Sequence, residues 1–283
     1  MSGGKSAATV LACAAAWTIF GAPQAHGQEG EGGGPSRASS KAPAPIHRTA
    51  DGRPDFSGLY AHGAGGANYG LERHEKTPLI PGGAGVVVDP PDGKLPMQAW
   101  ARAEVESRGK PERGYDDPTA HCFPAGVPRE LYVPQPIQIQ QPPGYVLFLF
   151  ERMSWRTVPL DGRGHIPDAI RLWQGDSVGR WEGDTLVIDT ANFNGKTWLN
   201  QNGEMVSHAE HVVERLTPVD GDTIMYEATV TDPIVYTRPF TIRFPLRRQA
   251  GELLEVACHE DDVDLEHLKA IKDAAIAAGS VQR

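Results

Sequence analysis

The chain has 283 residues and a formal net charge of −9, with 36 acidic residues against 27 basic ones. That acidic balance argues against nucleic acid or an anionic membrane as partner. There is neither a phosphate loop nor a dinucleotide fingerprint, so a nucleotide site is not expected, and no cofactor is implied.

Residues 1–27 read as a secretory signal peptide. Lys5 supplies the positive start, Ala7 to Phe20 the apolar run, and Ala25-His26-Gly27 a small-x-small cleavage site. The run is short for a bilayer span. Apolar residues continue past Cys13, which weakens that cysteine as a lipid acceptor. The mature chain is expected in the periplasm or secreted, with no membrane contact after signal removal. It keeps two cysteines, Cys122 and Cys258. In an oxidising compartment two such cysteines pair as a disulfide, the alternative being two buried thiols.

Residues 28–45 are Gly-, Ser- and Pro-rich and read as a disordered linker, leaving a single domain over 46–283. From Pro54 to Pro136 dense Gly and Pro predict long wrapping loops. One short helix is predicted over Met97 to Ser107, with Trp100, Ala103 and Val105 on a narrow apolar face. A loop region of this length commonly covers or builds a site.

From Ile137 the pattern turns to short strands. They are predicted over Ile137 to Gln141, Tyr145 to Arg152, Trp155 to Leu160, Ala169 to Trp173, Val178 to Glu182 and Thr185 to Ala191. Four more follow, over His208 to Pro218, Thr223 to Asp232, Thr241 to Arg247 and Leu253 to His259. The clearest alternation sets Ile224, Tyr226, Ala228 and Val230 against Thr223, Met225, Glu227 and Thr229. About ten such strands predict a mainly β fold, a single antiparallel β-barrel. A short C-terminal helix follows over Asp264 to Ala278, with Leu265, Leu268, Ile271, Ala275 and Ile276 on one side.

The stretch Trp173 to Thr190 gathers Trp, Asp, Glu and Arg about a Gly183-Asp184 turn. Asp189 shares a strand face with Val187, either as a solvated strand end or as a carboxylate aimed into a cavity. Gly175-x-Ser177-x-Gly179 matches a nucleophile elbow, but a β-branched strand follows where that elbow needs a helix, so Ser177 is assigned to a turn.

Other ionisable groups offer acid/base chemistry. His165 ends the Asp161-Gly162-Arg163-Gly164 loop, at what should be one barrel rim. Glu151 ends an apolar strand, either as an acid with a pKa raised by burial or as an ion-pair partner of Arg156 or Arg163. His208, Glu210 and Glu214 share one face if their segment is a strand, with His211 on the other. A strand divides His208 from His211, whereas a helix capped by Ser207, with Glu210 closing a capping box, would put both on one face and allow a metal. Val212-Val213 and Pro218 favour the strand, and no metal site is expected there.

The chain resembles a large, mostly uncharacterised family of secreted bacterial proteins. The resemblance runs from Asp51-Gly52-Arg53-Pro54-Asp55-Phe56-Ser57-Gly58 to Cys258-His259-Glu260. It passes through Cys122-x-Pro124-x-Gly126-x-Pro128-Arg129, Glu151, Asp161-Gly162-Arg163-x-His165 and Trp173 to Thr190, then Ser207 to Arg215 and Asp232-Pro233. It implies a calycin- or lipocalin-like barrel and carries over no activity. Tyr60 stands where the family pattern has Trp.

A small barrel either fills with side chains or holds one ligand. The expected function is cofactor-independent acid/base catalysis of the lyase, isomerase or hydratase type on a small, largely apolar or aromatic molecule in the barrel. His165, His208, Glu214, Glu151 and Asp189 are its candidate catalytic groups. Trp155, Arg163, Trp173, Trp181 and Tyr226 are candidates for binding. The alternative is a lipocalin-like carrier without turnover.

Overall fold

The alternation legible in the sequence becomes alternation of burial. In β9, Thr223–Thr231, Ile224, Tyr226, Ala228 and Val230 are buried and the residues between them are not; in β10, Phe240–Gln249, the buried set is Phe240, Ile242, Phe244 and Leu246. A computed structural model describes residues 43–76, 81–108, 110, 117–152, 154–260 and 264–279. The signal peptide, Cys13 and most of the linker lie outside the described residues.

The other strands are β1 (Gly58–His62), β2 (Val87–Asp89), β3 (Ile137–Gln140), β4 (Tyr145–Phe150), β5 (Ser154–Pro159), β6 (Asp176–Glu182), β7 (Thr185–Ala191) and β8 (His211–Pro218). All pairings are antiparallel, in the order β5-β4-β3-β1-β10-β9-β8-β7-β6, with β2 added to β10. The sheet curls into a nearly closed barrel. Helices are few: α1 (Ala99–Arg108) and α2 (Asp264–Ala277). No described helix is long and apolar enough to cross a membrane.

Register stacks the core in rows. Leu186, Leu216, Tyr226 and Phe244 face inward side by side, and so do Ile188, Glu214, Ala228 and Ile242. Each large apolar side chain so buried contributes roughly 1.5–3 kcal/mol. Together with Val146, Phe148 and Val158 from β4 and β5 they form one core, so side chains fill the barrel interior.

The seam between β5 and β6 is closed by side chains. A Cβ on Gly179 would stand 2.7 Å from Val158 Cγ1 and 2.7 Å from Leu160 Cδ2, so glycine is what lets the two strands approach. Across the same seam the Arg156 guanidinium donates to Ser177 Oγ at 2.8 Å, to Thr190 Oγ1 at 2.7 Å and to Glu214 Oε1 at 2.9 Å. A second, shorter contact joins Arg156 to Glu214 Oε2. At the far end of β6, Glu182 pairs with Thr185 across a two-residue turn in which Gly183 takes a φ of +61°.

Several sequence expectations need correction. Ala169 to Trp173 forms no strand, only a bridge at Leu172 to Phe193. Leu253 to His259 forms none either. Both edges of β10 are occupied, so the chain after it meets no free edge, and the backbone bond that ties it to the barrel runs from Val256 N to the Glu151 carbonyl. Two strands in the loop-rich half, β1 and β2, were not foreseen. In α1 the buried residue is Ala101, while Trp100 is 50% exposed. Cys122 and Cys258 are bonded, with Cα atoms 5.7 Å apart.

Candidate functional site

The densest set of titratable groups outside the core lies on the outer face of β6, β7 and β8. Inward and outward residues alternate along each strand. Ser177, Ile188, Thr190 and Val212 point inward, which turns Asp176, Asp189 and His211 outward. Residues 160–175, between β5 and β6, fold back over this face and bring His165 onto it. The loop is pinned there by its backbone. Ile166 N donates to Asp176 Oδ2 at 3.1 Å, and Asn192 Nδ2 donates to the carbonyls of Ile166 and Pro167 at 2.9 and 3.2 Å.

Four side chains form one chain of contacts. His165 Nδ1 lies 2.9 Å from Asp176 Oδ2, and its Nε2 lies 2.9 Å from Asp189 Oδ1. That same Asp189 oxygen lies 2.8 Å from His211 Nε2. An imidazole with a carboxylate on each nitrogen satisfies both only when both nitrogens carry a proton. Burial lowers the pKa of His165, but the hydrogen bonds to Asp189 and Asp176 outweigh it and the value is raised. Burial likewise pushes Asp189 up, and the bonds from His165 and His211 outweigh that, leaving Asp189 below its ordinary value.

The two histidines therefore have different chemistry. His165 has both ring nitrogens engaged by carboxylates, which favour its protonated form, and has none to spare. His211 spends Nε2 on Asp189, and its Nδ1 makes no hydrogen bond among the described residues; the side chain is 41% exposed. A carboxylate that orients one imidazole nitrogen and leaves the other to solvent is the arrangement a general base needs. Among the described residues, no group of three or more His, Cys, Asp and Glu side chains is arranged to hold a metal.

A groove of about 320 Å³ begins two residues along β8 from His211. It is lined by Val213, Arg215, Glu227, Thr229, Thr241 and Arg243, with Val88 and Asp89 of β2 at its far side. Its lining is mostly polar. Arg243 Nη2 pairs with Glu227 at 2.6 Å, and Thr229 and Thr241 share a hydrogen bond of 2.9 Å.

Neither a protein-family model, a curated protein nor a solved structure matches this chain.

Of the residues singled out in the sequence, His165 and Asp189 come together here. The others are scattered. Glu214 lies fully buried inside the barrel, held by Arg156 and by the Tyr226 hydroxyl, which donates to Oε1 at 2.8 Å. Burial, reinforced by the Glu214 charge, pushes the Tyr226 phenol well above its ordinary value. His208 sits exposed in the turn before β8, its carbonyl accepting from Arg171 at 3.1 Å. Glu151 accepts from Leu254 N at 3.0 Å and anchors the C-terminal segment. Arg163 is exposed, and its hydrogen bonds to Asp161 hold that carboxyl down at about 2.

The aromatic candidates are equally dispersed. Trp155 is 67% exposed on β5, Trp173 stacks on Phe123 at 4.5 Å, and Trp181 packs against Phe56 and the core edge. Ser177 is buried in strand β6 beneath Arg156. Sequence reasoning missed His211 and Asp176. No local signal marks His211, whose place beside Asp189 comes from the pairing of β7 with β8. Asp176 was hidden in a string read as a turn.

Proposed function

We propose that the protein is a cofactor-independent acid/base enzyme of the lyase, isomerase or hydratase type, working on the outer face of its barrel. His211 is the general base and Asp189 orients it. His165, clamped between Asp176 and Asp189, fixes the Asp189 carboxylate and supplies positive charge beside it. The observation that carries this reading is the 2.8 Å contact of His211 Nε2 with Asp189, which leaves Nδ1 without a hydrogen bond among the described residues, on the strand whose next outward residues, Val213 and Arg215, line the groove.

The packed interior and the groove lining favour a small polar substrate, bearing hydroxyl or carboxyl groups, over an apolar one. Such groups match the Arg, Glu and Thr side chains along β8, β9 and β10. The disulfide supports the reading of residues 1–27 as an export signal and hence a periplasmic or secreted enzyme.

The test is solvent exchange. Wild type and His211→Ala are incubated in deuterated water with a panel of small hydroxy acids, keto acids and sugars and followed by proton NMR. Deuterium uptake or loss of water in the wild type, reduced by about 10²- to 10⁴-fold in the variant, is the expected result. Ligands that bind in the groove without exchange or turnover would make the protein a carrier instead.

A further inference from the structure

Outside that site, the Cys122–Cys258 bridge has an unsymmetrical electrostatic setting. The Arg152 guanidinium, at the end of β4, donates from Nη2 to Cys258 Sγ at 3.4 Å and to the Thr119 carbonyl at 2.8 Å. The cation sits on one sulfur of the pair. Both cysteines are half-buried, so the bridge is within reach of solvent.

A disulfide breaks by attack of a thiolate on one sulfur while the other leaves as thiolate, and the sulfur whose thiolate is better stabilised leaves faster. An adjacent arginine stabilises a thiolate. We propose that this bridge is a site of thiol–disulfide exchange in which Arg152 makes Cys258 the leaving sulfur, so that an incoming dithiol attacks Cys122.

The steps balance. A thiolate of the dithiol forms a bond to Cys122 Sγ, and the electron pair of the broken bridge goes to Cys258 Sγ, beside Arg152. The second thiol of the dithiol, deprotonated, then attacks its own sulfur in the mixed disulfide and expels the Cys122 thiolate, which takes up a proton. The dithiol ends as a disulfide, two electrons poorer, and the bridge is reduced.

Release has a structural consequence. The described residues after β10 belong to no sheet; Leu254 N bonds the Glu151 carboxylate and Val256 N the Glu151 carbonyl just past β4, and α2 lies against Pro118–His121. Reduction removes the covalent tie of the segment that leads into α2. The chemistry that recognises the bridge is a dithiol carrier; the device it operates is this C-terminal segment.

The experiment uses the oxidised mature protein. It is treated briefly with glutathione, quenched with iodoacetamide and mapped by peptide mass spectrometry. The expected product carries glutathione on Cys122 and the alkyl group on Cys258. Arg152→Met should lose that preference and be reduced by dithiothreitol about tenfold more slowly, whereas Arg152→Lys should keep the preference. Glutathione equally on both cysteines of the wild type, or mainly on Cys258, overturns the proposal. So does an unchanged rate and preference in Arg152→Met. Should Arg152→Met fail to fold, the wild-type labelling pattern decides alone.

Discussion

Asp189 is the residue on which the outer site turns, because one of its oxygens meets two imidazoles. Asp189→Asn keeps the shape and removes the charge that fixes the His211 tautomer. It should lower turnover by about 10²- to 10⁴-fold, as His211→Ala does, while His208→Ala leaves the rate unchanged. Parallel exchange assays of the three variants check this, and a His208→Ala loss equal to that of His211→Ala would break the assignment. Half of this site was legible in the sequence. His165 and Asp189 stand out as polar residues at the ends of a turn and a strand. Asp176 and His211 do not, since their role comes from β6 and β8 lying on either side of β7, a pairing that local patterns cannot announce. Glu214 misled for the converse reason. Its alternation with Val212 and Leu216 marks an inward face, and its partner Arg156 is distant in sequence.

At the level of the strands, the Arg156–Glu214 pair joins β5 to β8 across the seam that backbone bonds leave to side chains. Both residues are buried, and Ser177, Thr190 and Tyr226 satisfy their remaining polar atoms. Arg156→Met leaves a carboxylate buried without its cation and should cost about 3–5 kcal/mol. Adding Glu214→Leu removes the orphaned charge and should recover much of that loss, so the double variant melts above the single one in denaturant titration. A double variant no more stable than Arg156→Met would show that the pair is not the closing element. The strands on either side of this seam were legible because their core is apolar and their turns carry Gly. β1 and β2 were not, being short and set among Pro and Gly, and they exist because β10 offers them an edge. The two strands wrongly predicted, Ala169 to Trp173 and Leu253 to His259, carry strand-like residues but gain no ladder, the first making only the single bridge at Leu172 to Phe193.

For the whole molecule, pH and the disulfide act on the same balance of folded and unfolded chains. Burial raises the Glu204 carboxyl from 4.5 to about 7. A raised carboxyl stabilises the fold fully below 4.5 and loses that contribution as pH rises towards 7. His165, raised above 6.5 by its two carboxylates once burial is overcome, contributes fully below 6.5 and loses it as pH climbs through its folded value. Asp189, lowered, contributes above 3.8 and loses it as pH falls through its own. All three signs place the most stable range near pH 4 to 5 and predict a lower Tm at pH 8, and Glu204→Gln should flatten the fall between 4.5 and 7. The disulfide sets the height of that curve. It closes a loop of 136 residues, and in the chain-entropy account a loop of this size destabilises the unfolded chain by about 5 kcal/mol. For a domain of this size each kcal/mol moves Tm by roughly 2–4 °C, so Cys122→Ser with Cys258→Ser should melt roughly 10–20 °C below the oxidised protein. Scanning calorimetry at pH 5 checks it, with the reduced and alkylated wild type as a second reading of the same loss. A shift of only a degree or two would mean that the unfolded chain is already held compact without the bridge, and the loop-closure argument would fail for this protein.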